Sequence, residues 1–393
     1  MVGGPGRAAH GRCRRRRAGR RHPRRGPRGR GHRPDRRPGP DRPGPAPDGE
    51  RAVNVQVRLG GAVSLRFPLR TLVITLVLVV VALAGAVAGL AYGKVQVSAV
   101  DVVRTILGQT TPALETVITE WRLPRVLLGL LLGAALGVAG AIFQSLTRNP
   151  LGSPDIIGFD AGAYAGAVLT IVIVGSTALV LPGALIGGIA TALVVYLLAY
   201  RRGMHGFRLI IVGIGVTAML GSVTTYLLLK APIQIAQMAA IWGAGSLNGL
   251  AWPEVRLAVV GIAAGLAVLL CFGRGLAALE LGDDAAAALG VPVERTRLGL
   301  LVGGTMLTAT VTAVAGPITF VALAAPQLAR RLTRSAGVRR VPSAAMGACL
   351  VVVADFVAQH AFPALVPVGL VTIVAGGAYL VWVLLVQARK EIR

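Results

Sequence analysis

This chain of 393 residues offers ordinary catalytic chemistry three lysines, five histidines and three cysteines, and none is spaced for it. A nucleotide-binding P-loop needs Gly-x-x-x-x-Gly-Lys-Ser/Thr, so that backbone amides and one lysine hold the phosphates. Lys94, Lys230 and Lys390 all lie outside such a pattern. His10, His22, His32, His205 and His360 form no pair at helical ligand spacing, and no His-Glu-x-x-His occurs. Cys13, Cys271 and Cys349 form no metal-ligand or disulfide pattern and read as small hydrophobes. No nucleophile–base pairing is legible. The expectation is a non-enzyme with no cofactor, no resident metal and no nucleic-acid partner.

What remains are a few charges in unusual places. Arg122 and Arg125 lie three apart at the start of an apolar run. Asp160 and Asp355 sit inside apolar runs, where an ionisable group costs at least ~2.5–3.5 kcal/mol and so implies a use. Neither is clearly at mid-depth, which weakens, without removing, an ion-coupled secondary transporter as an alternative. The stretch 277–297, AALELGDDAAAALGVPVERTR, places two acids before four alanines and a glycine. Asp283 and Asp284 favour a helix start, the alanines propagate it, and Gly290 can end it. A short helix is expected there, exposed in the longest loop of its side.

The elements that position these residues are apolar blocks of roughly 20 residues, the length that crosses a bilayer as a helix. The chain is 54% hydrophobic and only 15% charged. We expect an all-α polytopic protein of the cell membrane with about ten spans, near 71–92, 125–144, 157–177, 180–199, 208–229, 256–272, 297–315, 318–333, 342–361 and 367–387. Bases cluster in alternate loops: Arg148; Arg201, Arg202 and Arg208; Arg274, Arg295 and Arg297; Arg330, Arg331, Arg334, Arg339 and Arg340. The positive-inside rule makes those loops cytoplasmic and puts both termini there. Residues 97–121 are amphipathic and should lie on the outer surface, and Trp242 and Trp252 fit interfacial anchors. Gly129, Gly133, Gly137 and Gly140 recur at spacings of three and four, which lets helices approach closely.

The formal net charge of +25 is uneven, since residues 1–51 hold 17 Arg against four acids. Residues 1–60 are expected to form a disordered Arg/Pro/Gly-rich leader and 61–393 the membrane domain. Either the leader is a passive or anion-binding tail, or translation starts at Val53, Val55 or Val57.

The punctuation is more specific than the spans. Four blocks stand out. Arg122-Leu-Pro-Arg125 opens a run holding Gly133, Gly140 and Gln144, which leaves through Asn149-Pro150-Leu151 and Pro154 to Gly158 and Gly162. The loop carries Leu281, Gly282, Ala288, Leu289, Gly290 and Val291. Gly316-Pro-Ile-Thr-Phe320 leads through Pro326 and Arg330 to Asp355. Pro367-Val-Gly369 precedes Val371 and Thr372. Together these resemble the FecCD/BtuC-type permeases, membrane subunits of ATP-driven importers for iron–siderophore and cobalamin complexes. The resemblance covers about residues 70–388.

That resemblance implies a BtuC-like permease whose ATP is hydrolysed on a separate pair of subunits. It implies that an extracytoplasmic siderophore-binding protein docks on Arg122 and Arg125. Leu281, Gly282, Ala288, Leu289 and Gly290 would form the helix that meets the ATPase. Gln144, Asn149, Pro150, Gly158, Gly316, Phe320, Pro326 and Asp355 would belong to the path or its frame. Spans two to five and seven to ten would form inverted halves. Gln327 stands where many members carry His, Gln359 where some carry a further docking Arg, and Ala378 where a Pro occurs. The run 322–337 resembles the second permease of catecholate-siderophore importers, such as the ferric-enterobactin system. This implies a heterodimer and a ferric siderophore as cargo, with cobalamin or haem as the alternatives.

Overall fold

The computed structural model describes residues 54–59, 63–93, 96–109, 111–174, 179–200 and 206–391. The leader expected at 1–60, including the candidate start at Val53, falls mostly outside them. Strands β1 (Asn54–Leu59) and β2 (Val63–Pro68) pair as an antiparallel hairpin with Val57 opposite Leu65, so paired structure straddles residue 60. Everything else described is helix or short connection.

The membrane part begins with α1 (Leu69–Ala91), which is apolar on every side. A surface excursion follows: α2 (Ala99–Ile106), α3 (Pro112–Glu115) and a π-helical turn over Thr116–Arg122. The Ser98 hydroxyl caps α2 by accepting from the amides of Val100 and Asp101. Next come α4 (Leu123–Thr147), α5 (Pro154–Ile157) and α6 (Phe159–Leu169), which runs on as a π turn to Val174. The chain continues through α7 (Val180–Ala199), α8 (Gly206–Lys230), α9 (Ile233–Gly243) and α10 (Trp252–Glu280). It closes with α11 (Asp283–Ala288), α12 (Val293–Ala315), α13 (Val321–Thr333), α14 (Arg340–His360) and α15 (Val368–Glu391).

Among the described residues, seven helices are long and apolar enough to cross a membrane, and Phe159–Val174 and Val368–Val383 are shorter apolar helices. Of the eighth expected span, 318–333, only the 13 residues Val321–Thr333 are helical. At 1.5 Å per residue that is about 20 Å, short of the ~30 Å apolar layer. The non-helical stretch Gly316–Phe320 precedes it.

The centre is built on α4, α12 and α14. Leu128, Leu132, Phe143, Leu300, Leu307 and Val351 are fully buried there. The expected glycine face is real. A Cβ on Gly137 would overlap the Ser343 carbonyl, one on Gly133 the Gly347 carbonyl, and one on Gly140 the Ala322 carbonyl. Close backbone approach, rather than large side chains, brings α4 against α13 and α14.

Contacts sort the charges by end, as the loop arginines imply. Arg148, Asp283 and Arg297 meet at one end, where Arg70 also donates to the Leu332 carbonyl. At the other end are Arg122, Arg125 and Asp355. Both tryptophans also make contacts within the protein. Trp252 Nε1 donates to the Thr119 carbonyl at 3.1 Å, and Trp242 stacks on Tyr164 with ring centroids 6.1 Å apart.

Candidate functional site

The sequence-selected residues gather in three places along the bundle. The first is the outer end of α4. Pro124 lies in the first turn of α4, where its missing N–H costs nothing. The next residue, Arg125, reaches α14 and donates from Nε to Asp355 Oδ2 at 3.0 Å and from Nη2 to Oδ1 at 2.7 Å. Gln359, one turn along α14, donates to the same Oδ2 at 2.7 Å. The Arg125 and Asp355 side chains are only 15% and 8% exposed. Arg122 Nη1 donates to the Leu90 carbonyl at 2.7 Å, tying the π turn to the end of α1. Two arginines expected to face outward are thus engaged within the chain, Arg122 by a backbone carbonyl and Arg125 by Asp355, which Gln359 also contacts.

The second place is where two helix breaks meet. One break follows α4. Arg148 takes a left-handed conformation (φ 50°), and the chain leaves through Asn149-Pro150 to α5 and Gly158 (φ 94°). The other follows α12, between Gly316 (φ 73°) and Phe320 (φ 66°). Each break follows the first span of one of the two halves expected from sequence. They brace each other across the chain. Gln144 Nε2 donates to the Leu323 carbonyl at 2.9 Å, and Gln327 Nε2 donates to the Pro150 carbonyl at 2.7 Å. The Phe320 amide donates to Asp155 Oδ2 at 2.9 Å. Non-helical backbone at membrane depth survives only where protein satisfies it, and these three bonds do so. Asn149 caps its own turn, its Oδ1 accepting from the Leu151 amide. Pro326 is buried inside α13, and Gly316 lies against the Trp242 carbonyl and Gly245. Asp160 accepts from Thr312 Oγ1 at 2.8 Å. Beside this brace opens a cavity of about 720 Å³ lined in part by Gln144, Arg148, Asn149, Gln327, Arg330 and Arg331. Arg331 lies over the rings of Tyr379 and Trp382, 5.8 and 5.1 Å from their centroids.

The third place is α11. The helix expected from 281–290 forms, with Gly282 (φ 122°) before it and Gly290 (φ 77°) after it. Both glycines take backbone angles that a side chain would strain. Ala286 is fully buried and roots the helix, while Leu281 and Leu289 are 72% and 66% exposed. Its acidic start is not merely solvated. Asp283 Oδ1 accepts from Arg148 Nη2 at 2.8 Å and from Arg297 Nη2 at 2.7 Å. Arg148 also donates to the Leu279 carbonyl at the end of α10. Partial burial pushes the Asp283 carboxyl up, but the hydrogen bonds and charges of Arg297 and Arg148 outweigh it and hold the group below the usual carboxylate value.

Sequence reading missed this triad. It took Arg148 and Arg297 as loop bases and Asp283 as a helix starter. Arg297 is in fact 5% exposed, within the first turns of α12. The available signal was an arginine placed among apolar residues just inside a span, which rarely stays buried unless paired. Among the described residues no cluster of three metal-ligating side chains occurs.

Comparison with known proteins gives the same direction. The ferric enterobactin transport system permease protein FepG of Escherichia coli is 48% identical over 306 residues, 77% of this chain and 92% of that protein. The Bacillus subtilis probable siderophore transport system permease protein YfhA is 39% identical over 296 residues, 72% and 86% of the two chains. The cobalamin import system permease protein BtuC of Halobacterium salinarum is 34% identical over 273 residues, 69% and 73% of the two chains. A solved metal-chelate type ABC transporter in an inward-facing conformation superposes with a TM-score of 0.70 at 26% identity, covering 80% of this chain and 99% of that one. Residues 67–386 match the FecCD transport family. With this family match and these relatives, this chain belongs to the FecCD transport family of membrane permeases.

Proposed function

We propose that the chain is the permease subunit through which a ferric siderophore enters the cell, driven by ATP hydrolysed on separate subunits. The observation that carries this reading is α11, an exposed helix rooted at the basic end of the bundle and flanked by outward apolar Leu281 and Leu289. Apolar side chains on a charged, water-facing end mark a partner surface. An ATPase dimer is the partner that the family implies. The chain's three lysines and their settings supply no P-loop of its own.

A ferric siderophore is the favoured cargo because the relatives named above for ferric enterobactin and siderophore transport share more identity than the cobalamin permease. A second, different permease would complete the path, as the resemblance of 322–337 implies. An extracytoplasmic binding protein would dock at the outer end near Arg122. Arg125 serves that surface through Asp355, by fixing the top of α4 against α14. An ion-coupled carrier through Asp355 is less well supported, since Arg125 already pairs with that carboxylate.

Radio-iron uptake tests this in cells lacking and then regaining the chain, using enterobactin, citrate and hydroxamate chelates with cobalamin alongside. Uptake of a ferric chelate that stops on ATP depletion but survives a protonophore is expected. Uptake that follows the proton gradient overturns the reading.

A further inference from the structure

We propose that Asp283 is the residue through which movement of α11 reaches the two helix breaks beside the cavity, acting as a positioning residue and not as part of the ATPase-binding surface. The proposal rests on the reading of α11 as the ATPase contact.

α11 has six residues and cannot hold a position by its own helical stability, since isolated helices that short are marginal. Two glycines at positive φ isolate it from the flanking helices. Its orientation therefore depends on the buried Ala286 and on side-chain ties, and the charged ties converge on one carboxylate. Asp283 Oδ1 accepts from two guanidinium groups on different helices, Arg148 after α4 and Arg297 in α12. Glu294 Oε1 lies 3.5 Å from Arg297 Nη1 and completes the charge balance on that side.

Arg148 is not an incidental partner. It is the left-handed residue that ends α4 and turns the chain into the first break. From it the connections are continuous. Asn149 and Pro150 follow directly, the Pro150 carbonyl accepts from Gln327 of α13, and Asp155 accepts from Phe320 at the second break. A displacement of α11 carried by Asp283 thus acts on the end of α4, on α12, and through residues 149–155 on the start and middle of α13. The links at Asp283 are charged, the Phe320–Asp155 bond is partly buried, and the Gln327–Pro150 bond lies exposed beside the cavity. The outward Leu281 and Leu289 stand apart from it. Docking and transmission thus use different residues of one short element.

The test uses the assembled importer, this chain with its ATPase and partner permease, in proteoliposomes. Hydrogen exchange of residues 149–155 and 321–333 is compared in the nucleotide-free and the ATP–vanadate states, alongside ATPase co-purification and hydrolysis rate. For Asp283→Asn, the ATPase should still co-purify and hydrolyse ATP. The nucleotide-dependent change in exchange should fall about ten-fold, the order expected when a coupling contact is lost. Asp283→Glu, which keeps the charge, should restore most of it. Unchanged nucleotide dependence in Asp283→Asn overturns the proposal, and so does loss of the ATPase from that variant. Leu289→Glu separates the two readings. If it keeps a bound, coupled ATPase, α11 is not the ATPase contact, whatever Asp283 does.

Discussion

Arg125 and Asp355 lie 230 residues apart in the chain and meet through two parallel hydrogen bonds, which fasten the outer ends of α4 and α14. This pair changes how loss-of-function at Arg125 should be read. Removing one partner strands a mostly buried charge, which costs about 3–5 kcal/mol, while replacing both with apolar residues of similar volume is near neutral. Asp355→Ala should therefore lower the melting temperature of the purified assembly in detergent far more than Arg125→Met combined with Asp355→Leu. Equal destabilisation by the single and double variants would show that the pair contributes little.

Docking is tested at Arg122 instead. Arg122→Glu should weaken capture of the permease assembly by its binding protein more than Arg122→Gln does, with both variants losing some melting temperature along with the guanidinium's bond to the Leu90 carbonyl. Charge reversal at an interface rim acts mainly on association rate, so the effect should shrink as salt is raised. Unchanged capture at low salt would remove Arg122 from the docking surface.

The glycine face gives a graded prediction. Gly129 has no atom nearer to an added Cβ than 3.5 Å, whereas Gly137 faces the Ser343 backbone directly. Gly129→Ala should accumulate in the membrane and transport near normally. Gly137→Leu should push α4 from α14 and abolish the folded assembly, since backbone, unlike a flexible side chain, cannot step aside. Size-exclusion profiles of the two proteins in mild detergent distinguish the outcomes.

Most of the architecture was legible because its signals are local. Most span positions, the glycine spacing over 129–140 and the Asp-Asp-Ala-Ala-Ala-Ala-Leu-Gly pattern each act within a few residues, and the glycine face and the short helix formed as read. What stayed hidden was pairing at a distance. Nothing in the neighbourhood of Asp355 announces Arg125, and nothing near Asp283 announces Arg148, 135 positions earlier. The contacts of Trp242 and Trp252 were hidden for the same reason: an aromatic ring at a span end suits both a lipid interface and a cleft between helices, and nothing local announces Tyr164 or Thr119. The span at 318–333 was read as continuous because Ile318 and Phe320 are apolar, although the glycine at 316 marks where the helix stops.

The triad at α11 sets a pH expectation. The folded carboxyl of Asp283 lies below its unfolded value, so its contribution is present above the ordinary carboxylate range, near 4, and disappears as pH falls through the lower folded value. Coupling of ATP hydrolysis to transport should thus be flat from about pH 5 to 8, where carboxylates of this kind stay ionised. A loss of coupling between pH 7 and 6 would point to a group other than Asp283.

The final prediction concerns the strained start of α13. Phe320 is not glycine, yet it sits at φ 66° and ψ −22° with its amide held by Asp155. A side chain in that region costs of order 1–3 kcal/mol and persists only when its surroundings over-determine it. Asp155 supplies part of that constraint, and the Phe320 ring against Gly376 of α15 supplies another. Asp155→Ala leaves a buried amide without its acceptor and should cost about 1–3 kcal/mol, while Asp155→Asn keeps an acceptor oxygen and should cost less. Because strain and cap act on one residue, Phe320→Gly should blunt the effect of Asp155→Ala, making the double variant less damaged than the sum of the singles. Thermal unfolding of the four proteins decides it: strict additivity would mean that Asp155 does not hold Phe320 in its left-handed conformation.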